Sequence, residues 1–79
     1  MSDRTPSAVD KHVASVIAGR RRALGMSQAQ LAEAIGVIAN QVHKYEIGQD
    51  RLSVGRLWAM SQALDVTPQF FFDGLSICD

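Results

Sequence analysis

The sequence predicts an all-α domain of five short helices around one small core. From Val9 onward, apolar residues recur at spacings of three and four, the period of a helix with one buried face. Glycines at 25, 36 and 48 end successive segments, and Ser27, Ser53 and the pair Thr67-Pro68 stand where the following segments would be capped.

Residues 1–8 hold Ser, Asp, Thr and Pro without periodicity and are expected to form a flexible arm. Val9, Val13, Val16, Ile17 and Leu24 then mark a first amphipathic helix that Gly25 closes. Ser27 is placed to cap a second, SQAQLAEAIG, in which Leu31 and Ile35 lie four apart and Gly36 is the stop. A third helix is predicted from Ala39 to about Ile47, with Ile38, Val42 and Tyr45 facing inward and Gly48 ending it. Ser53 opens a fourth, with Leu57, Met60 and Leu64 as its buried stripe. Thr67-Pro68 opens a short fifth helix through Phe72, and residues 74–79 read as a flexible tail. The ordered domain is therefore expected over residues 9–73.

At 79 residues, with 47% hydrophobic and 20% charged, the chain supports one compact domain. Its single cysteine, Cys78, leaves no intramolecular disulfide and no cysteine zinc site, so a reducing, cytoplasmic setting is expected. No apolar run approaches the ~20 residues of a membrane span. No Ser/His/Asp, Cys/His or paired-carboxylate arrangement is present, so no enzymatic activity is expected, and neither is a cofactor or a bound metal. Formal net charge is +0, which argues against indiscriminate coating of polyanions. The charge is nevertheless polarised. Arg4, Lys11, Arg20, Arg21 and Arg22 lie in the first 25 residues, whereas beyond residue 60 the only charges are Asp65, Asp73 and Asp79.

Two helices of about two turns joined at Gly36 form a helix-turn-helix pattern, whose second helix can enter a DNA major groove. Ala32 is small where the helices would cross, and Val37 can fill the angle between them. At roughly 100° per residue, the outward face of the third helix carries Asn40, His43, Lys44 and Ile47, with Ala39 and Gln41 on its flanks.

The runs GMSQAQLAEAIGV, KYEIGQDRLS and LWAMSQALDVTPQFFF resemble the helix-turn-helix regulators of the phage-repressor or Cro type, the XRE family, over about residues 9–73. The resemblance implies a five-helix, lambda-repressor-like domain that binds double-stranded DNA sequence-specifically, usually as a homodimer, in a bacterial or phage-encoded transcription regulator. It further implies that Gln28 contacts a phosphate, that Ala39, Asn40 and Lys44 read base edges, and that Glu46 pairs with Arg21. Arg21 in fact stands on the apolar stripe of the first helix, four residues after Ile17 and three before Leu24, where a charge needs a partner.

Two positions depart from the family pattern. Ile38 stands where Ser or Thr is usual, which forfeits an N-cap worth ~1 kcal/mol. Ala39 replaces a polar reader and can offer only a methyl contact, for example to thymine. Asn40 can pair bidentately with adenine, and Lys44 can donate to guanine or a phosphate. Ser27, Gln28 and Arg51 are read as backbone anchors, His43 shares the DNA face with Asn40 and Lys44, and Gln41 and Ala39 lie at its edges. Trp58 fits either core packing or a dimer contact, and Phe70, Phe71 and Phe72 are expected to fill the core and a subunit interface. The alternative to a DNA-binding regulator is a protein-binding module on the same fold, such as an antitoxin-like partner of a toxin or co-regulator.

Overall fold

The computed structural model describes residues 7–75. Within them the chain forms α1 (Ala8–Ala23), α2 (Gln28–Ile35), α3 (Ala39–Glu46), α4 (Val54–Ala63) and a 3-10 helix (Pro68–Phe72), with no strand among the described residues.

Helix α1 begins one residue earlier than Val9 because Ser7 caps it. The Ser7 hydroxyl accepts from the Asp10 amide, and the Asp10 carboxylate accepts from the Ser7 amide. Only residues 1–6 of the expected arm, and 76–79 of the expected tail with Cys78, lie outside the described residues. Ser27 and Ser53 cap α2 and α4 in the same way, accepting from Gln30 and Arg56.

The expected short fifth helix is a 3-10 helix, so the described residues form four α-helices and not five. Pro68 contributes no amide hydrogen and Thr67 makes no side-chain cap bond. Five residues are too few to offset the cost of an α-helical nucleus, and the tighter i→i+3 ladder closes instead, with Phe70 donating to the Thr67 carbonyl at 3.0 Å. This turn delivers Phe71 into the core, where it is fully buried beside Val13, Ile17, Leu31, Val42, Met60 and Leu64.

Two expected stripe residues point elsewhere. Ile38 is 71% exposed and Leu24 is also exposed. Ile38 is the N-cap of α3 and Leu24 the C-cap of α1, so both sit where the backbone leaves the helix and the helical register no longer sets the side-chain direction.

Candidate nucleic-acid interface

Helices α2 and α3 pack against each other through a three-residue turn. Gly36 adopts the left-handed conformation at φ 80°, which puts its amide 2.9 Å and that of Val37 3.0 Å from the Ala32 carbonyl. Ala32 is buried at the crossing, and Val37 packs on the core. Arg56, on α4, donates to the Ile35 carbonyl at 2.8 Å and so fixes the C-terminus of α2.

Helix α3 is held on one side only. Val42 and Tyr45 are buried, while Ala39, Asn40 and His43 are exposed and Gln41 and Lys44 half-buried. The start of α2 lies against the C-terminal half of this helix. There the Gln28 amide nitrogen donates to Glu46 Oε1 at 3.0 Å and lies 3.5 Å from His43 Nδ1.

Beneath that contact is a buried ion pair. Arg21 Nε lies 2.6 Å from Glu46 Oε2 and Nη2 lies 3.0 Å from Oε1, a two-pronged geometry, while Nη1 donates to the Met26 carbonyl at 2.7 Å. Burial pushes the Glu46 carboxyl up, but hydrogen bonds from Arg21 and Gln28 and the charges of Arg21 and Arg22 outweigh it, and the group rests below the ordinary carboxylate range. The Arg21 guanidinium is raised above its usual value, first by its hydrogen bond to Glu46.

The remaining expected site residues fall around this frame. Ser27 is engaged in its own capping box, with its amide donating to Gln30 Oε1 at 2.7 Å. Gln41 donates to Asp50 at 2.9 Å, which ties α3 to the loop that follows it. Arg51, in the same loop, pairs with Asp10 at 3.2 Å. That carboxyl is lowered mainly by the Ser7 backbone hydrogen bond, partly opposed by burial, with Arg51 contributing least.

Outside the helix-turn-helix, Trp58 is 58% exposed, Phe72 is 40% exposed and Phe70 is half-buried. Phe71 has no exposed surface, so it belongs to the core of the protomer and not to a subunit interface. Val54, one turn before Trp58 on α4, is 88% exposed and extends the apolar surface.

Sequence reasoning missed the Gln28–His43 contact, the Gln41–Asp50 and Asp10–Arg51 links, and the two arginines that cap helix ends, Arg56 and Arg20. The latter donates to the Leu64 carbonyl at 3.0 Å. No periodic signal marks such pairs. Among the described residues there is no group of three or more His, Cys, Asp or Glu that could hold a metal ion, and no helix is long and apolar enough to cross a membrane.

The helix-turn-helix family model (HTH_3) matches residues 17–71, which takes in α2, the Gly36 turn and α3. The chain belongs to the helix-turn-helix family. This helix-turn-helix domain is 51% identical over 70 residues to an uncharacterized HTH-type transcriptional regulator, y4wC, of Sinorhizobium fredii, a match that covers 89% of this chain and 49% of that protein. The chain thus spans about half the length of such curated relatives. Among solved structures, it is similar to the restriction-modification controller protein C.AhdI of Aeromonas hydrophila, with 29% identity and a TM-score of 0.79 over 84% of this chain and all of that one. It is also similar to the P22 c2 repressor, solved in complex with a synthetic operator, with 27% identity and a TM-score of 0.72 over 78% of this chain and 94% of that one.

Proposed function

We propose that this helix-turn-helix domain binds double-stranded DNA in a transcription regulator, chiefly a repressor, by laying α3 in the major groove of a short palindromic operator as a homodimer. The carrying observation is the one-sided burial of α3: Val42 and Tyr45 anchor it, and Ala39, Asn40 and His43 stand open on the far side. The relatives' names as HTH-type transcriptional regulators, and the operator in the P22 c2 repressor structure, support the same reading. A cytoplasmic location, at the nucleoid when bound, follows from it.

In this reading Asn40 pairs with an adenine edge, Ala39 contacts a methyl group, and Lys44 reaches a guanine or a phosphate. Ser27, Gln28 and Arg51 hold the backbone. The Gln28 side chain already directs its amide hydrogens at Glu46 and His43, so its phosphate contact falls to its main-chain N–H, which lies in the unpaired first turn of α2. Exposed Val54, Trp58 and Phe72 provide apolar surface for a second copy. Two-fold symmetry then sets half-sites about 10 to 10.5 base pairs apart.

The test is selection of bound fragments from genomic DNA, followed by salt-resolved binding to the selected operator and a scrambled duplex, with sedimentation of the complex. Asn40→Ala should cost about 1 to 3 kcal/mol on the operator and relax preference at one base position. An absence of preference for any fragment, with Asn40→Ala without effect, would replace this reading with the protein-binding one.

A further inference from the structure

Proton bookkeeping in the network beneath α3 leads to a residue that acts through another. The Glu46 carboxylate, held ionised by Arg21, has only lone pairs to offer. The Gln28 amide must therefore turn its nitrogen, not its oxygen, toward Glu46, and the 3.0 Å contact to Oε1 uses one of its two hydrogens. The second hydrogen is the one available to His43 Nδ1, at 3.5 Å from the same nitrogen. A neutral imidazole next to a donor turns a lone pair to it, so Nδ1 is the unprotonated nitrogen and the ring hydrogen sits on Nε2. Nε2 lies across the ring from Gln28, on an exposed side chain, and has no partner among the described residues.

We infer that Gln28 is a positioning residue that fixes His43 in the Nε2–H form, so that the outer edge of His43 is a hydrogen-bond donor that reads a purine N7 in the major groove. This rests on the DNA-binding reading above and adds a further reader beside Asn40, Ala39 and Lys44. The Nε2–H at that point donates to the N7 acceptor that guanine and adenine both present, and opposes the amino donors of cytosine N4 and adenine N6. The buried ion pair thereby reaches the recognition surface in two hydrogen-bonded steps, from Arg21 and Glu46 to Gln28, and from Gln28 to His43.

The test has one arm without DNA and one with it. In the free protein at about pH 8, nitrogen-15 spectra of the His43 ring should show an unprotonated, hydrogen-bond-accepting Nδ1. In Gln28→Ala that resonance should move toward the value of a solvent-exposed, exchanging ring. In the second arm, the selected operator is scanned with 7-deazapurines. One purine per half-site should lose roughly five-fold in affinity for the wild type, the yield of a single hydrogen bond, and nothing for His43→Ala. The loss should shrink in Gln28→Ala. His43→Gln keeps a donor at the Nε2 position without needing the partner, so it should retain the deaza sensitivity and make Gln28→Ala silent.

A proton on Nδ1, or spectra identical in wild type and Gln28→Ala, overturns the inference even if no operator is found. Operator binding with Asn40 dependence intact but no His43-dependent deaza position also overturns it, while leaving the DNA-binding reading in place.

Discussion

Arg21 meets both carboxylate oxygens of Glu46, at 2.6 and 3.0 Å, although the two residues are 25 positions apart, and both side chains are almost completely withdrawn from solvent. Removing one partner strands the other. Glu46→Ala should lower stability by about 3 to 5 kcal/mol, because the guanidinium would remain buried with only the Met26 carbonyl. An unchanged melting curve would refute this.

The same pair has an acid signature. Because the Glu46 carboxyl is depressed in the folded state, its contribution is fully present above its unfolded value near pH 4.5 and is lost as pH falls through the lower folded value. Asp10 is depressed as well and acts in the same window. Denaturant melts of wild type and Glu46→Gln across about pH 2 to 6 should therefore give a shallower acid limb for the variant. Parallel curves would count against the pair's role.

The N-cap of α3 offers a gain. Ile38 already has the extended backbone of a cap, φ −86° and ψ 157°, but no side-chain cap bond, and its side chain lies in solvent. Ile38→Ser should add about 1 kcal/mol of stability, seen as a higher denaturant midpoint at constant slope. A lower midpoint would mean that the isoleucine makes contacts its exposure does not reveal.

Two glycines should respond in opposite senses to alanine. Gly19 lies within α1, and a Cβ there would meet no atom within 4 Å, so Gly19→Ala should stabilise by about 0.4 to 1 kcal/mol. Gly36 has equally open surroundings but a φ of +80°, so Gly36→Ala should cost about 1 to 2 kcal/mol through backbone conformation alone. Thermal melts of the two variants separate the effects, and equal shifts of the same sign would contradict the argument.

If Arg51 holds the DNA backbone as proposed, its pairing with Asp10 should make the affinity adjustable. Arg51→Ala should weaken operator and scrambled duplexes alike and reduce the salt slope by roughly one. Asp10→Asn removes the carboxylate that faces Arg51 at 3.2 Å, and should tighten binding to both duplexes. Filter or fluorescence titrations at several salt concentrations check both, and weaker binding by Asp10→Asn would show that the carboxylate orients Arg51 instead of competing for it.

Much of the frame was legible in the sequence because it is periodic or conformationally required. Val42 and Tyr45 lie on the buried side of α3 as their spacing predicts, Gly36 takes the left-handed turn, and Arg21, a charge on an apolar stripe, lies buried against Glu46. Periodicity fails at helix ends, and this is why Ile38 and Leu24 were expected inside and stand outside. It says nothing about long polar side chains that bridge elements. Arg56 reaches Ile35 across 21 positions, Arg20 reaches Leu64 across 44, and Gln28 reaches His43 across 15, contacts that follow from three-dimensional packing and side-chain length. The short helix expected through Phe72 is present as a 3-10 helix for a different reason, since capping residues and proline mark where a helix starts but not which ladder it closes.

Phe71 has a consequence for synthesis. Its ring is the last fully buried side chain in the described part of the chain, and it packs in a cluster that includes Val13 and Ile17 from α1. While it is still inside the ribosome exit tunnel, the emerging helices lack the group that closes their core, and His12 has yet to meet the Asp73 carbonyl that it contacts at 2.9 Å. The core is therefore expected to close only after Phe71 has left the tunnel, which arrest of synthesis at successive lengths followed by proteolysis would check.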